Sequence, residues 1–149
     1  MKMTTQAPTK PYIFASGAAL IIGIGAYGIG LLNSIMDLNE KGYYLITLLY
    51  GLYSVISLQK TIRDKAEGIP TTKLYFMISW ASTALAIALL AIGLVNADMS
   101  LSEKGFYAMA YTLSLFAAIT VQKNVRDKLS VNESPSVTPK VQDSISLAE

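Results

Sequence analysis

Four stretches of this chain contain no Asp, Glu, Lys or Arg: residues 11–36, 42–59, 74–97 and 105–122. They take up 86 of the 149 residues, so all 22 charged side chains crowd into the other 63. Surface helices of a soluble globule carry charge on nearly every turn. A chain this short has nothing left with which to hide four uncharged helices from water. At 1.5 Å per residue the shorter stretches reach about 27 Å and the 24-residue one about 36 Å, against a hydrocarbon core of roughly 30 Å. The expected fold is therefore all-α, a polytopic membrane protein with four transmembrane helices, and its first partner is the lipid bilayer. The two shorter spans end at Gln59, Lys60 and at Gln122, Lys123, whose long stems can snorkel to the headgroups. The first stretch reads as an anchor. Its 26 residues exceed the roughly 7 to 15 of a signal-peptide core, and Gly23 to Gly30 offers no A-x-A-like cleavage site.

The chain has no cysteine and no histidine. That excludes disulfides, thiol nucleophiles, zinc-thiolate and iron–sulfur sites, Ser-His-Asp and Cys-His triads and His-rich metal sites. We expect no cofactor, no metal and no catalytic residue. A net charge of +2 is too small to signal nucleic acid. No ionisable residue lies inside the expected spans, which disfavours a proton- or ion-coupled carrier. The acids Asp37, Glu40, Asp98 and Glu103 sit in short turns with no histidine or cysteine to work with.

Basic residues set the expected topology. Lys2, Lys10, Lys60, Arg63, Lys65, Lys73, Lys123, Arg126, Lys128 and Lys140 fall on one side, and only Lys41 and Lys104 on the other. The positive-inside rule then places both termini and the middle connection in the cytoplasm. Aromatic pairs mark the span ends at headgroup level: Tyr12 with Phe14, Tyr43 with Tyr44, Tyr75 with Phe76, Phe106 with Tyr107.

Shifting the chain by 63 residues reveals a duplication. Leu38-Asn39-Glu40-Lys41-Gly42-Tyr43-Tyr44 falls on Leu101-Ser102-Glu103-Lys104-Gly105-Phe106-Tyr107, and Gln59-Lys60-Thr61-Ile62-Arg63-Asp64-Lys65 on Gln122-Lys123-Asn124-Val125-Arg126-Asp127-Lys128. Residues 30–65 and 93–128 share 16 identities in 36 positions without a gap, more than common apolar composition produces. The expected organisation is a cytoplasmic segment 1–11, a first two-helix repeat 12–65 with spans near 12–34 and 42–59, and a linker 66–73. A second repeat follows over 74–128 with spans near 74–97 and 105–122, then a disordered tail 129–149 containing Pro135, Pro139 and scant hydrophobic pattern. An even number of spans per unit makes the repeat parallel, about an axis along the membrane normal.

These tandem motifs, together with Glu67-Gly68-Ile69-Pro70-Thr71-Thr72 between them, resemble the YiaA/YiaB two-helix-domain family of bacterial inner membranes over roughly residues 12–128. The resemblance implies an inner-membrane location and two tandem hairpins. It brings no activity with it.

Gly23-Ile24-Gly25-Ala26-Tyr27-Gly28 fits the spacing of a dinucleotide-binding loop, but it lies within an uncharged span with no preceding strand. Close helix packing is the simpler reading, through Ala15, Ala19 and Gly23, through Ala26 and Gly30, and in the second repeat through Ala84 and Ala88 with Ser82 and Ala86, and through Gly93. Asn39 and Ser102 are expected to cap the second helix of each repeat. Glu40 and Glu103 then complement the positive helix end, and adjacent Lys41 and Lys104 do not face them. Lys60 and Asp64, and Lys123 and Asp127, stand at i, i+4, within basic clusters that include Arg63 and Arg126 and suit anionic headgroups. Asn33 and Asn96 are expected to hydrogen-bond across helices near a shared axis. The pattern as a whole suggests a structural or interaction role, with copies of the chain or another membrane protein as partner. The rival is a small uncoupled channel or transporter formed by oligomerisation around Asn33, Asn96 and helix hydroxyls such as Ser54, Ser57, Thr112, Ser114 and Thr120.

Overall fold

The computed structural model describes residues 6–133, all helix and short connections: α1 (Lys10–Asn33), α2 (Leu38–Ala66), α3 (Lys73–Asn96) and α4 (Leu101–Glu133). All four helices are long and apolar enough to cross a membrane. Large apolar side chains such as Phe14, Ile22, Leu32, Tyr53, Met77, Val95 and Phe116 stand on the outside, where a soluble protein would carry charge. The chain is a multi-pass membrane protein of two tandem helical hairpins.

Each boundary has a local cause. Pro11 occupies the first turn of α1, where its missing N–H costs nothing. The caps of α2 and α4 lie two residues earlier than expected. Asp37 precedes α2, its N–H donating to Glu40 Oε2 at 3.1 Å, while Asn39 is already helical. Ser100 precedes α4 in a reciprocal arrangement: the Glu103 N–H donates to Ser100 Oγ and the Ser100 N–H to Glu103 Oε2, with Ser102 inside the helix. Thr72 caps α3 by accepting from the Tyr75 N–H. At the end of α2, Gly68 takes a positive φ of 74°, and the Ile69 N–H returns to Asp64 O at 2.8 Å. That left-handed turn suits glycine and ends the helix at Ala66, with Glu67 as its C-cap. Helix α4 runs on to Glu133, so residues 129–133 of the expected tail are helical, and the rest of that tail lies outside the described residues.

The packing crosses the repeats. Helix α1 lies chiefly on α4 and α3 chiefly on α2, with α2 and α4 in contact at the centre. Helices joined by a hairpin turn touch little: α1 meets α2 over a short stretch, and α3 and α4 barely meet. Each repeat thus completes its partner's helix pair rather than its own.

Glycines show why. A Cβ built on Gly23 of α1 would lie 2.7 Å from Ser114 Oγ and 3.0 Å from its backbone nitrogen, so only glycine allows α1 this close to α4. Gly30 stands against the Phe106 ring with the corresponding gap at 2.6 Å, and Gly93 of α3 against Tyr43 of α2 at 2.7 Å. These last two contacts are images of one another under the 63-residue shift. The core between the pairs contains Tyr27, Leu31, Tyr44, Leu48, Val55, Leu90, Leu94, Tyr107, Tyr111 and Leu115.

Candidate functional site

The polar residues of the repeat motif gather at the end of the bundle that carries the 67–72 connection. Here α2 and α4 continue beyond their apolar spans, and each presents one Arg-Asp pair to the other. Arg126 Nη2 lies 2.6 Å from Asp64 Oδ1, and Arg63 Nη2 pairs with Asp127 Oδ1. Each aspartate also takes its own helix's lysine: Lys60 Nζ to Asp64 Oδ2 at 2.7 Å and Lys123 Nζ to Asp127 Oδ2 at 2.8 Å. Glu67, the C-cap of α2, receives both Arg63 and Arg126 at 3.1 Å. Every carboxylate oxygen of the two aspartates therefore has a cationic donor.

The i, i+4 pairs follow from helical spacing alone. The exchange between Arg63 and Asp127 and between Arg126 and Asp64 was not read from the sequence, although its signal was present. A parallel duplication that repeats Arg-Asp on two adjacent helices lets each arginine meet the other copy's aspartate. The pairs are partly withdrawn from solvent, with aspartate side chains 11% and 8% exposed and arginines 23% and 18%. Hydrogen bonding to Lys60, then to Arg126, holds the Asp64 carboxyl below the usual carboxylate range. Burial pushes Asp127 upward, but Lys123 and Arg63 together outweigh it and leave that carboxyl lowered too. The bond to Asp127 raises the Arg63 guanidinium above its ordinary value. With each acid ionised and held by cations, the cluster has no free base or nucleophile. What it can do is fix the register of α2 against α4. Gln59 and Gln122 sit half-buried one residue before the two lysines.

Just inside this end, Asn124 of α4 donates to Ser16 Oγ of α1 at 3.0 Å, and its Oδ1 is buried without a protein partner. This is the buried interhelical amide that was expected of Asn33 and Asn96. Those two asparagines are exposed instead, and each donates to a carbonyl of its own helix, Ile29 O at 2.8 Å and Ile92 O at 2.7 Å. They stand at the last residue of α1 and α3, where unpaired carbonyls of the final turn draw the amide back, so neither faces a shared axis.

Four buried tyrosines pack together toward the hairpin-turn end of the bundle. Tyr27 and Tyr107 meet edge to face at 5.5 Å, Tyr44 and Tyr107 stack at 6.0 Å, and Tyr27 and Tyr111 lie tilted at 6.2 Å. Tyr27 donates to Tyr44 O at 2.8 Å and Tyr111 to Thr47 O at 3.3 Å, so these hydroxyls are spent on backbone carbonyls.

Of the small residues singled out for packing, Gly23, Gly30 and Gly93 lie against the neighbouring helix, and Ala19 and Ala26 are half-buried. Ala15, Ala84 and Ala88 face outward, Ser82 is half-buried, and Ala86 is the alanine of this set that α3 buries. Gly51, which the sequence reading did not single out, is occupied from α4 by the Tyr111 ring, and Leu115 Cδ2 would lie 3.3 Å from a Cβ there.

At the opposite end, Glu40 and Glu103 serve their helix starts, and hydrogen bonds from Ser100 hold the Glu103 carboxyl below its usual range. Lys41 Nζ donates to Leu32 O at 3.2 Å, while Lys104 only approaches Val95 O at 3.5 Å. A cavity of about 870 Å³ opens between the two hairpin turns, lined by Asn33, Ser34, Glu40, Asp98, Glu103 and Tyr107 among others. Among the described residues no group of three His, Cys, Asp or Glu side chains could hold a metal ion.

The duplication is recognised by comparison with known proteins. The family described as "yiaA/B two helix domain" matches twice, over residues 12–64 and 75–127, again 63 residues apart. The chain is 52% identical over 126 residues to "Inner membrane protein YiaA" of Escherichia coli (strain K12), covering 85% of this chain and 86% of that protein. No solved structure matches it. Two matched copies spanning most of the chain, and a relative aligned through both, place this chain in the yiaA/B two helix domain family.

Proposed function

We propose that this is a bacterial inner-membrane protein with both termini in the cytoplasm, that it carries no catalytic site, and that it acts structurally, by association with copies of itself within the bilayer. One observation carries the reading. A Cβ added at Gly17, Gly25 or Gly28 of α1 would meet nothing within 4 Å in its own chain. Glycine within a helix costs about 0.5–1 kcal/mol relative to alanine, and nothing inside the bundle recovers that cost at these positions. Close approach of another helix backbone would. The location agrees with the printed name of the Escherichia coli relative, and the orientation with the ten-to-two distribution of basic residues.

The absence of cysteine makes the test direct. Single cysteines at Gly25 or Gly28 should give a crosslinked dimer in native membranes, and cysteines at the lipid-facing Ile22 or Tyr53 should not. Gly25→Leu with Gly28→Leu should abolish association while leaving the monomer folded. Equal crosslinking at all positions, or none, would refute self-association. A fluorescent reporter that functions only in the cytoplasm, fused after Lys128, should be bright; a dark fusion overturns the orientation. The channel reading has less support, since Asn33 and Asn96 and the helix hydroxyls of Thr47, Thr61, Ser79, Thr112, Ser114 and Thr120 bond to carbonyls of their own helices. Solute flux through liposomes of pure protein would restore it.

A further inference from the structure

The duplication is not symmetric where each hairpin diverges. Because α3 leans on α2 while α4 leans on α1, a wedge opens between α3 and α4 behind the 97–100 turn. It forms a groove of about 740 Å³ with almost wholly apolar walls. Leu90 and Leu94 of α3 and Tyr111 and Leu115 of α4 make the floor, all of them buried. The rim is exposed, with Val95 76%, Leu101 87% and Phe116 67% open, so the groove faces the surroundings of the bundle.

The first repeat carries larger side chains at three of the corresponding positions. Under the 63-residue shift, Ala108 corresponds to Leu45, Thr112 to Leu49 and Leu90 to Tyr27. Each of these three is smaller in the second repeat, and α1 meets α2 over a short stretch whereas α3 and α4 barely meet.

We propose that this groove holds one acyl chain of an anionic phospholipid, with the phosphate at Lys104. Within the hydrocarbon an apolar groove cannot stay empty, since its walls would forgo dispersion contacts on one side, and these walls do not hold water. Acyl chains are the medium on which it opens. Lys104 lines the same groove at the end nearest the 97–100 turn, where the headgroup of a lipid would lie. Among the described residues it forms no ion pair, and its contact with Val95 O is long at 3.5 Å, so its charge remains for an anion outside the chain. The neighbouring Gly105 adds no side chain that would obstruct the approach.

This inference is independent of self-association and is read by a different measurement. The full chain is reconstituted in vesicles of mixed phosphatidylglycerol and phosphatidylcholine, extracted in mild detergent, and weighed intact by native mass spectrometry. The wild-type chain should retain one phosphatidylglycerol, preferred over phosphatidylcholine by roughly fivefold, the ratio corresponding to about 1 kcal/mol for one lysine at the surface. Ala108→Leu with Thr112→Leu, which copies the first repeat, should lose the retained lipid; Ala91→Leu fills the groove from α3 and gives the same answer should the double variant fail to fold. Lys104→Gln should keep a lipid and lose the preference. Retention unchanged in the filled variants, or no headgroup preference in the wild type, would overturn the proposal. So would loss of a protein–protein crosslink from the filled variants with lipid retention intact, because a second copy would then be the occupant.

Discussion

Arg126 of α4 reaches Asp64 of α2 at 2.6 Å, and 63 residues earlier Arg63 of α2 reaches Asp127 of α4. The two bonds are one interaction seen twice across the duplication, and they join helices that no short connection links. The Gly30–Phe106 and Gly93–Tyr43 contacts obey the same rule at the far end of the bundle. Charge fixes α2 against α4 at one end, while glycine contacts seat α1 on α4 and α3 on α2, so the four helices share one register.

Removing one member of such a pair should cost more than deleting an exposed surface bridge, because the partner is left partly buried. Arg126→Ala is expected to destabilise the detergent-solubilised chain by about 2 kcal/mol, between the range for surface pairs and that for buried ones. Asp64→Asn should cost a similar amount, and the double variant less than the sum. The coupling measured in that cycle is the check; strict additivity would mean that the bond contributes nothing.

Both aspartates titrate below their ordinary range. The unfolded chain, with carboxyl groups near pKa 3.9, therefore binds more protons than the native one as pH falls through that value. Stability from these groups is fully present above about pH 4 and drains away below it, as the native carboxylates are forced to protonate. Thermal unfolding in detergent should be flat from about pH 8 to 5 and fall below about pH 4. In Asp64→Asn with Asp127→Asn the neutral-pH midpoint should be lower and the acid decline shallower. An undiminished decline would assign the acid sensitivity to other groups.

Glycines of α1 divide into two kinds that a stability assay can separate. Gly23→Ala would force a Cβ against the backbone of Ser114, and a loss of about 1–3 kcal/mol is expected from the overpacked contact. Gly25→Ala has open space, and better helix propensity should raise the stability of the isolated chain by roughly 0.5–1 kcal/mol. Equal effects at the two sites would contradict the placement of α4 over Gly23.

The four spans, the hairpin connectivity and the lysine–aspartate spacing were legible because charge distribution and helical period act along the chain. What escaped was decided between helices. No pattern within Leu38–Ala66 says that Gly51 will lie under Tyr111, and the 63-residue shift, though visible, does not state whether α1 packs on α2 or on α4. Asn33 and Asn96 were misplaced for a related reason: an asparagine at a helix end has orphan carbonyls within reach, and that local bond prevails over a distant partner. Asn124, buried at the α1–α4 contact, sits where the first repeat has Thr61, so the repeat comparison hid it as a mismatch.

Tyr27 tests the buried aromatic cluster. It is fully buried, donates to the backbone of Tyr44 from the neighbouring helix, and meets the rings of Tyr107 and Tyr111. Tyr27→Phe keeps the ring and removes only the hydroxyl, so the loss should be near 1 kcal/mol, the usual net worth of one hydrogen bond. Tyr27→Leu copies Leu90 of the second repeat and forfeits the aromatic contacts as well, and it should cost about 2–4 kcal/mol. It should also open between α1 and α2 a wedge like the one between α3 and α4. A second retained lipid in the Tyr27→Leu chain would then tie the size of that side chain to the groove, whereas unchanged lipid stoichiometry would mean that Leu45 and Leu49 close the first wedge without it.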